Sequence, residues 1–150
     1  MRRFIVASVL CSCLLFLSTL PLLAADGTAA EARALLDRAA AAVKADKAAA
    51  LSQFTKGENG FKDRDLYVFC LDPDGKFAAH PNPNLLGHDG KTLKDSNGKA
   101  FVTEFLTVAQ EGKVAEVDYL FPRPGTKEPV PKSSYVTKVA DLVCGVGYYK

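Results

Sequence analysis

The clearest strand pattern is the apolar run Leu66–Leu71, whose side chains alternate between two faces. Tyr67, Phe69 and Leu71 fall on one face, and Val68 and Cys70 on the other. Period-two alternation of aromatic and β-branched residues predicts a strand. Asp72-Pro73-Asp74-Gly75 ends it as a turn, with proline presetting φ and glycine free to take a positive φ. Lys76–His80 is the predicted return strand, closing on His80-Pro81. The alternation recurs at Lys113–Phe121, where Ala115, Val117, Tyr119 and Phe121 oppose Glu116 and Asp118, and strands are also predicted at Lys132–Val139 and Val143–Tyr149. Hairpin-length connections make these last three antiparallel. Gly145 and Gly147 interrupt the final strand, a pattern that admits a close approach by another group.

Two segments carry the helical period instead. Gly27–Phe54 is rich in strong helix formers and bears the stripe Leu35, Leu36, Ala39, Val43, Leu51 and Phe54; Gly57 and Gly60 end it. Asn97–Gln110 places Phe101, Phe105 and Val108 on one face, with Asp95, Ser96 and Asn97 as candidate N-caps. Asn82–Asn97, between the return strand and this helix, reads as an ordered loop with one helical turn, and a connection of that length is often functional. The expected fold is α+β: a five-stranded antiparallel sheet, a long N-terminal helix on one face, and a short helix with its loop covering the other.

The N-terminus changes the accounting. Arg2 and Arg3 precede an apolar run over Phe4–Leu23, and Ala24-Ala25 supplies small residues for cleavage. Residues 1–25 therefore read as a secretory signal peptide, with a retained anchor as the alternative because the run is long enough to span a bilayer. Residues 26–150 form one domain, with the helix in 26–60 and the sheet and pocket in 61–150. Losing Arg2 and Arg3 leaves basic and acidic residues equal in number, which argues against nucleic acid or an anionic membrane surface as partner. The expected location is periplasmic or secreted. Cys70 and Cys144 remain, in an exported chain where disulfides are permitted. They bridge if their strands are neighbours, and otherwise behave as two buried thiols.

Catalytic signatures are missing. The mature chain has no Cys-x-x-Cys, no Gly-x-Ser-x-Gly elbow and no phosphate-cradling glycine loop. His80 and His88 stand eight apart, too sparse for a zinc site, so neither a cofactor nor an enzymatic activity is expected. His88 reads as an exposed loop residue, and His80 as a residue that pins the loop or borders a pocket. Lys132-Ser133-Ser134-Tyr135 is more suggestive, because lysine supplies charge and tyrosine a directed O–H donor for an anion. Parity opposes the pairing: in a regular strand Lys132 and Tyr135 point to opposite faces unless a bulge intervenes.

The segments YVFCLDPDGKFAAHPNPNLLGHD, LKDSNGKAFVTEFL, VDYLFPRPG, EPVPKSSYV and VCGVGYYK, in that order, resemble the single Cache domain of type 2, an extracytoplasmic relative of PAS-like sensor folds. The resemblance implies a small-molecule binding or sensing module that takes small organic acids or amino-acid-like ligands between the sheet and its covering segment. Tyr119 and Tyr135 match family aromatic positions, and Phe121 stands where tryptophan is common. On this basis the expected ligand-binding set is Tyr67, His80, Tyr119, Phe121, Lys132 and Tyr135, and the expected ligand a short monocarboxylate. Such domains usually sit between two membrane spans of a receptor or kinase. Because this sequence stops at Lys150, a stand-alone exported domain is expected, with a membrane receptor or kinase as candidate partner. The alternative is an interaction protein with a vestigial pocket that docks on such a membrane partner.

Overall fold

The computed structural model describes residues 26–150; the predicted signal peptide lies outside them. Helix α1 (Ala29–Ala45) opens with a capping box in which Thr28 and Glu31 exchange hydrogen bonds. The expected single helix is two. Asp46 leaves helical geometry with φ −156°, and its carboxylate accepts the Ala49 N–H at 3.0 Å, starting α2 (Lys47–Lys56). A short carboxylate that competes for backbone N–H groups is a better cap than a helix-interior residue, and that local choice overrode the continuous helical composition. Gly57, at φ 68°, closes α2 in the left-handed region.

Six strands follow where five were expected. The addition is β1 (Lys62–Asp63), a two-residue strand that pairs with the start of β2 (Leu66–Leu71). Next come β3 (Phe77–Ala79), two 3-10 turns at Pro83–Leu85 and Gly90–Thr92, and helix α3 (Phe101–Val108). The chain ends with β4 (Ala115–Pro122), β5 (Pro129–Val139) and β6 (Leu142–Tyr149). All pairings between strands are antiparallel, and the sheet runs β3-β2-β6-β5-β4, with β1 beside β2 on the edge away from β6. Helix α3 begins four residues later than expected and has no side-chain cap. Asp95 instead accepts the N–H groups of Asn97, Lys99 and Leu120, tying the loop before α3 to β4.

The sheet is covered on both faces, and strand parity sorts the core. Leu66, Val68 and Cys70 of β2 pack with Leu36, Ala39, Val43 and Phe54 under α1 and α2. Tyr67, Phe69 and Leu71 point the other way, into an aromatic layer with Phe101, Phe105, Val117, Tyr119 and Val136. Cys70 lies opposite Cys144 in the β2–β6 register, and the two form a disulfide buried beneath the helices. This bond closes a sequence separation of 74 residues, and the chain-entropy relation assigns a loop of that size about 4.5 kcal/mol. Replacing both cysteines by alanine is expected to lower unfolding free energy by several kcal/mol, measured by urea denaturation. Intact mass of the unfolded protein should show no thiol alkylation before reduction and two alkylations after it; labelling without reductant would contradict the bridge.

Candidate functional site

The aromatic face of β5 and β6 positions the site. Lys132 sits on β5 opposite Tyr119 of β4 on one side and Tyr149 of β6 on the other. Strand parity sends its side chain under the aromatic layer, where the residue is only 2% exposed. Its Nζ lies 3.0 Å from the Tyr67 hydroxyl and 3.3 Å from the Tyr149 hydroxyl. The same nitrogen is 4.4 Å from the Tyr67 ring centroid, 4.5 Å from that of Tyr149 and 5.4 Å from that of Phe121. These rings surround the cation at distances where their faces attract it. Gly147 makes the arrangement possible: a Cβ there would stand 2.3 Å from Lys132 Cε and 2.7 Å from Ser134 Oγ. The glycine interruption of the last strand is therefore the space that the lysine stem occupies.

Burial lowers the Lys132 ammonium from 10.5 to about 7, because leaving water disfavours the charged form. Asp65 works in the opposite direction and Arg123 adds to the lowering. Asp65 is itself buried: Oδ1 accepts the Gly27 N–H at 2.7 Å, while Oδ2 makes no hydrogen bond and lies 3.5 Å from Arg123 Nη1. Among the described residues no carboxylate forms an ion pair with Lys132. His80 is lowered to about 4 by burial and by the charge on Lys132. Its Nδ1 accepts the Asn82 N–H at 2.9 Å, so the imidazole is neutral with its proton on Nε2. Burial also raises the Tyr67 phenol well above its usual range, which keeps it a proton donor.

A cleft of about 390 Å³ opens over this floor, between the β4–β5 loop and the segment that follows β3. Tyr67, His80, Phe121 and Arg123 line it, with Asn82 and Thr126 nearer the rim. A second space of about 20 Å³ lies inward, among Phe69, Phe101, Phe105 and Tyr119, and has room for about one water. Tyr67, His80, Leu85 and Phe121 border both, so they form the partition between them.

Of the residues expected at the site, Tyr67, His80 and Phe121 meet at the cleft. Tyr119 belongs to the inner layer, stacked on Phe101 at 4.5 Å with its hydroxyl 2.8 Å from Ser134 Oγ. Lys132 lies beneath Tyr67 and Phe121 and borders neither space. Tyr135 is not brought to the site. The β5 register is regular through Lys132–Tyr135, so parity holds, and Tyr135 packs on the helix-covered face with its ring centroid 5.6 Å from that of Tyr148. His88 is exposed, and the described residues contain no His, Cys, Asp and Glu cluster suited to a metal. Sequence reasoning missed Arg123, Tyr149 and Asp65. Tyr149 was accessible in principle, because a tight β5–β6 turn sets it opposite Lys132. Arg123 and Asp65 meet only through tertiary folding and left no local signal.

The arrangement offers cationic and phenolic donors to an anion, without a paired nucleophile and base. The model for the family described as Single Cache domain 2 matches residues 25–149. A chemotaxis protein, McpP of Pseudomonas putida, is 34% identical over 90 residues that make up 58% of this chain; those residues span only 16% of that protein's length. A solved periplasmic sensor domain of a chemotaxis protein superposes with TM-score 0.62 at 31% identity, covering 79% of this chain and 87% of that one. A methyl-accepting chemotaxis protein from Vibrio parahaemolyticus gives TM-score 0.67 at 25% identity, covering 80% and 86%. A Cache chemosensory domain described for carboxylic acid recognition gives 0.61 at 30% identity, covering 79% and 85%. The sheet order, the helix-covered and aromatic faces, and the match over nearly all the described residues agree: the chain belongs to the single Cache domain 2 family.

Proposed function

We propose that this domain binds a short monocarboxylate, on the scale of acetate to pyruvate, outside the cytoplasm and reports its presence to a membrane receptor or kinase. One observation carries the reading: a buried lysine hydrogen-bonded to two phenols lies behind one of them, Tyr67, which lines an open cleft. The Lys132 ammonium donates to the Tyr67 oxygen, leaving the Tyr67 O–H free to donate to a carboxylate resting against it. A ligand anion at that position also supplies the negative charge that the aromatic cage lacks. Phe121 and Leu85 provide apolar walls, and neutral His80 offers a donor at Nε2. The Cache domain described for carboxylic acid recognition supports the ligand class, and the periplasmic sensor domain among the similar structures supports the location.

Thermal-shift measurements with two- to four-carbon acids test the reading, since ligand at a hundred times its dissociation constant adds about 2.7 kcal/mol of stability. No shift by any acid at millimolar concentration would sink it. A hydrogen bond to a charged group contributes about 1.5–3 kcal/mol, so Tyr67→Phe, which removes the hydroxyl facing the carboxylate, is expected to weaken binding roughly ten- to more than a hundredfold by calorimetry. Lys132→Met, which acts through Tyr67 and through its charge, should weaken it by a smaller factor, and Tyr135→Phe should leave it unchanged.

The depressed lysine sets two pH dependences. Anion binding is favoured by the protonated amine, so affinity should be greatest below about pH 7 and fall by up to about tenfold per pH unit above it. Folding stability without ligand should move the other way. Between about pH 7 and 10 the unfolded chain holds a proton on Lys132 that the folded chain has lost, so stability rises with pH in that window. Chemical denaturation at pH 7, 8 and 9 reads the slope, and Lys132→Met should flatten it. An unchanged slope in that variant would mean that Lys132 is not the titrating group.

A further inference from the structure

We propose that Arg123 is a second carboxylate-binding residue of the cleft, held in reserve by Asp26, so that ligand binding competes with a contact at the start of α1. The inference rests on the carboxylate reading above. Arg123 follows Pro122 at the end of β4 and lines the cleft beside Tyr67 and Phe121. Its guanidinium lies 4.6 Å from the Tyr149 ring centroid, and the Tyr149 hydroxyl donates to the Pro122 carbonyl at 2.6 Å. The arginine is thus presented by a ring that also contacts Lys132: Arg123 lines the cleft itself, and Lys132 lies behind the Tyr67 and Phe121 rings that line it.

The contacts Arg123 now makes leave capacity for a ligand. Its Nη1 lies 2.8 Å from Asp26 Oδ2 and 3.5 Å from Asp65 Oδ2. A guanidinium presents five N–H donors in a planar fork that suits a bidentate carboxylate, and these contacts engage one nitrogen. Asp26 is more than half exposed, and a pair with one exposed partner is weak because water screens it. Asp65 offers a second, independent sign of incomplete pairing: its Oδ2 is buried and has no hydrogen bond. A ligand carboxylate entering the cleft competes for the same guanidinium that the exposed Asp26 holds through one nitrogen.

The contact at stake ties the segment just before α1 to the cleft. Asp26 directly precedes Gly27, whose N–H is held by Asp65, and the Asp26 carbonyl accepts from Arg64 at 3.5 Å. Gly27 is pressed against the sheet so closely that a Cβ there would lie 2.2 Å from Leu66 Cγ. Losing the Asp26 side chain's hold therefore loosens the entry to α1 while Gly27 stays docked. By linkage, whatever the ligand does to this contact, the contact does to ligand affinity.

Calorimetry with acetate and with pyruvate tests the competition on the described domain, with thermal denaturation of each variant as the folding control. Arg123→Gln is expected to weaken binding at least tenfold, and Arg123→Lys, which keeps charge without the fork, to an intermediate degree. Asp26→Asn should tighten binding several-fold, and that gain should vanish in the Arg123→Gln background. Hydrogen exchange of residues 26–32 should quicken when pyruvate is added to wild type. If Arg123→Gln binds both acids like wild type while Lys132→Met does not, Arg123 is no ligand residue and the carboxylate reading stands. If Arg123→Gln weakens binding but Asp26→Asn changes nothing, the competition is wrong. If wild type binds neither acid, this inference falls together with the reading beneath it.

Discussion

The constraint on which the rest of this structure depends is the placement of one ammonium group out of water. A lysine that is 2% exposed loses its hydration, and the desolvation of a charge is costly unless other groups replace the lost water. Here the replacements are two phenol oxygens and the faces of three aromatic rings. Each comes from a different place in the chain: Tyr67 from β2, Phe121 from β4 and Tyr149 from β6. The sheet must be assembled across its width before the amine has any partner. Gly147 is the complement of the same constraint, since any larger residue would take the volume of the lysine stem.

Parity then divides the labour between the two faces of the sheet. Even-numbered residues of β2 enter the apolar layer under α1 and α2, and odd-numbered residues enter the aromatic layer. The helix-covered layer holds the disulfide and alkyl side chains that interdigitate, features of a stable platform. The opposite layer is built from rings that stack or meet edge-on, including Phe101 on Tyr119 and Phe69 on Phe105. Rings leave irregular spaces at their edges, and both the small inner cavity and the open cleft occur there. Loops and 3-10 turns complete the cover, so the polar rim groups sit on backbone that the rigid sheet only positions.

How much of this was legible depended on range. Alternation in β2 and β4 revealed the strands; parity along β5 spoke against pairing Tyr135 with Lys132, yet Tyr135 was expected at the site on chemical grounds, and the regular β5 register places it on the other face. The period of Phe101 and Phe105 located α3, but its N-terminus was misplaced, because Asp95 spends its carboxylate on a loop and on Leu120 rather than on the helix. Asp46 broke the first helix for a similar reason: a single side chain chose a cap over continuity. The two-residue strand β1 was too short for any periodicity to register. Arg123, Asp65 and Gly27 are brought together across 38 to 96 positions of the chain by folding, and no local pattern encodes such a meeting.

The same distant meeting gives the site its electrical character. Asp65 is the carboxylate that raises the proton affinity of Lys132, and Arg123 lowers it. Yet Asp65 also accepts the Gly27 N–H and stands 3.5 Å from Arg123. One buried carboxylate therefore faces two cations while making a backbone hydrogen bond, with Asp26 the nearer partner of Arg123, and one of its oxygens remains without a hydrogen bond. With Lys62 also lining the cleft, three cations gather about it against Asp26 and Asp65, although residues 26–150 hold basic and acidic residues in equal number. In low-dielectric surroundings that local imbalance is felt more strongly than in water. On the proposed function, this charge draws an anion before any fit of shape, and the aromatic partition of Tyr67, His80 and Phe121 stands between the outer cleft and the inner space. In that proposal charge favours a carboxylate, and the rings bound the room it has.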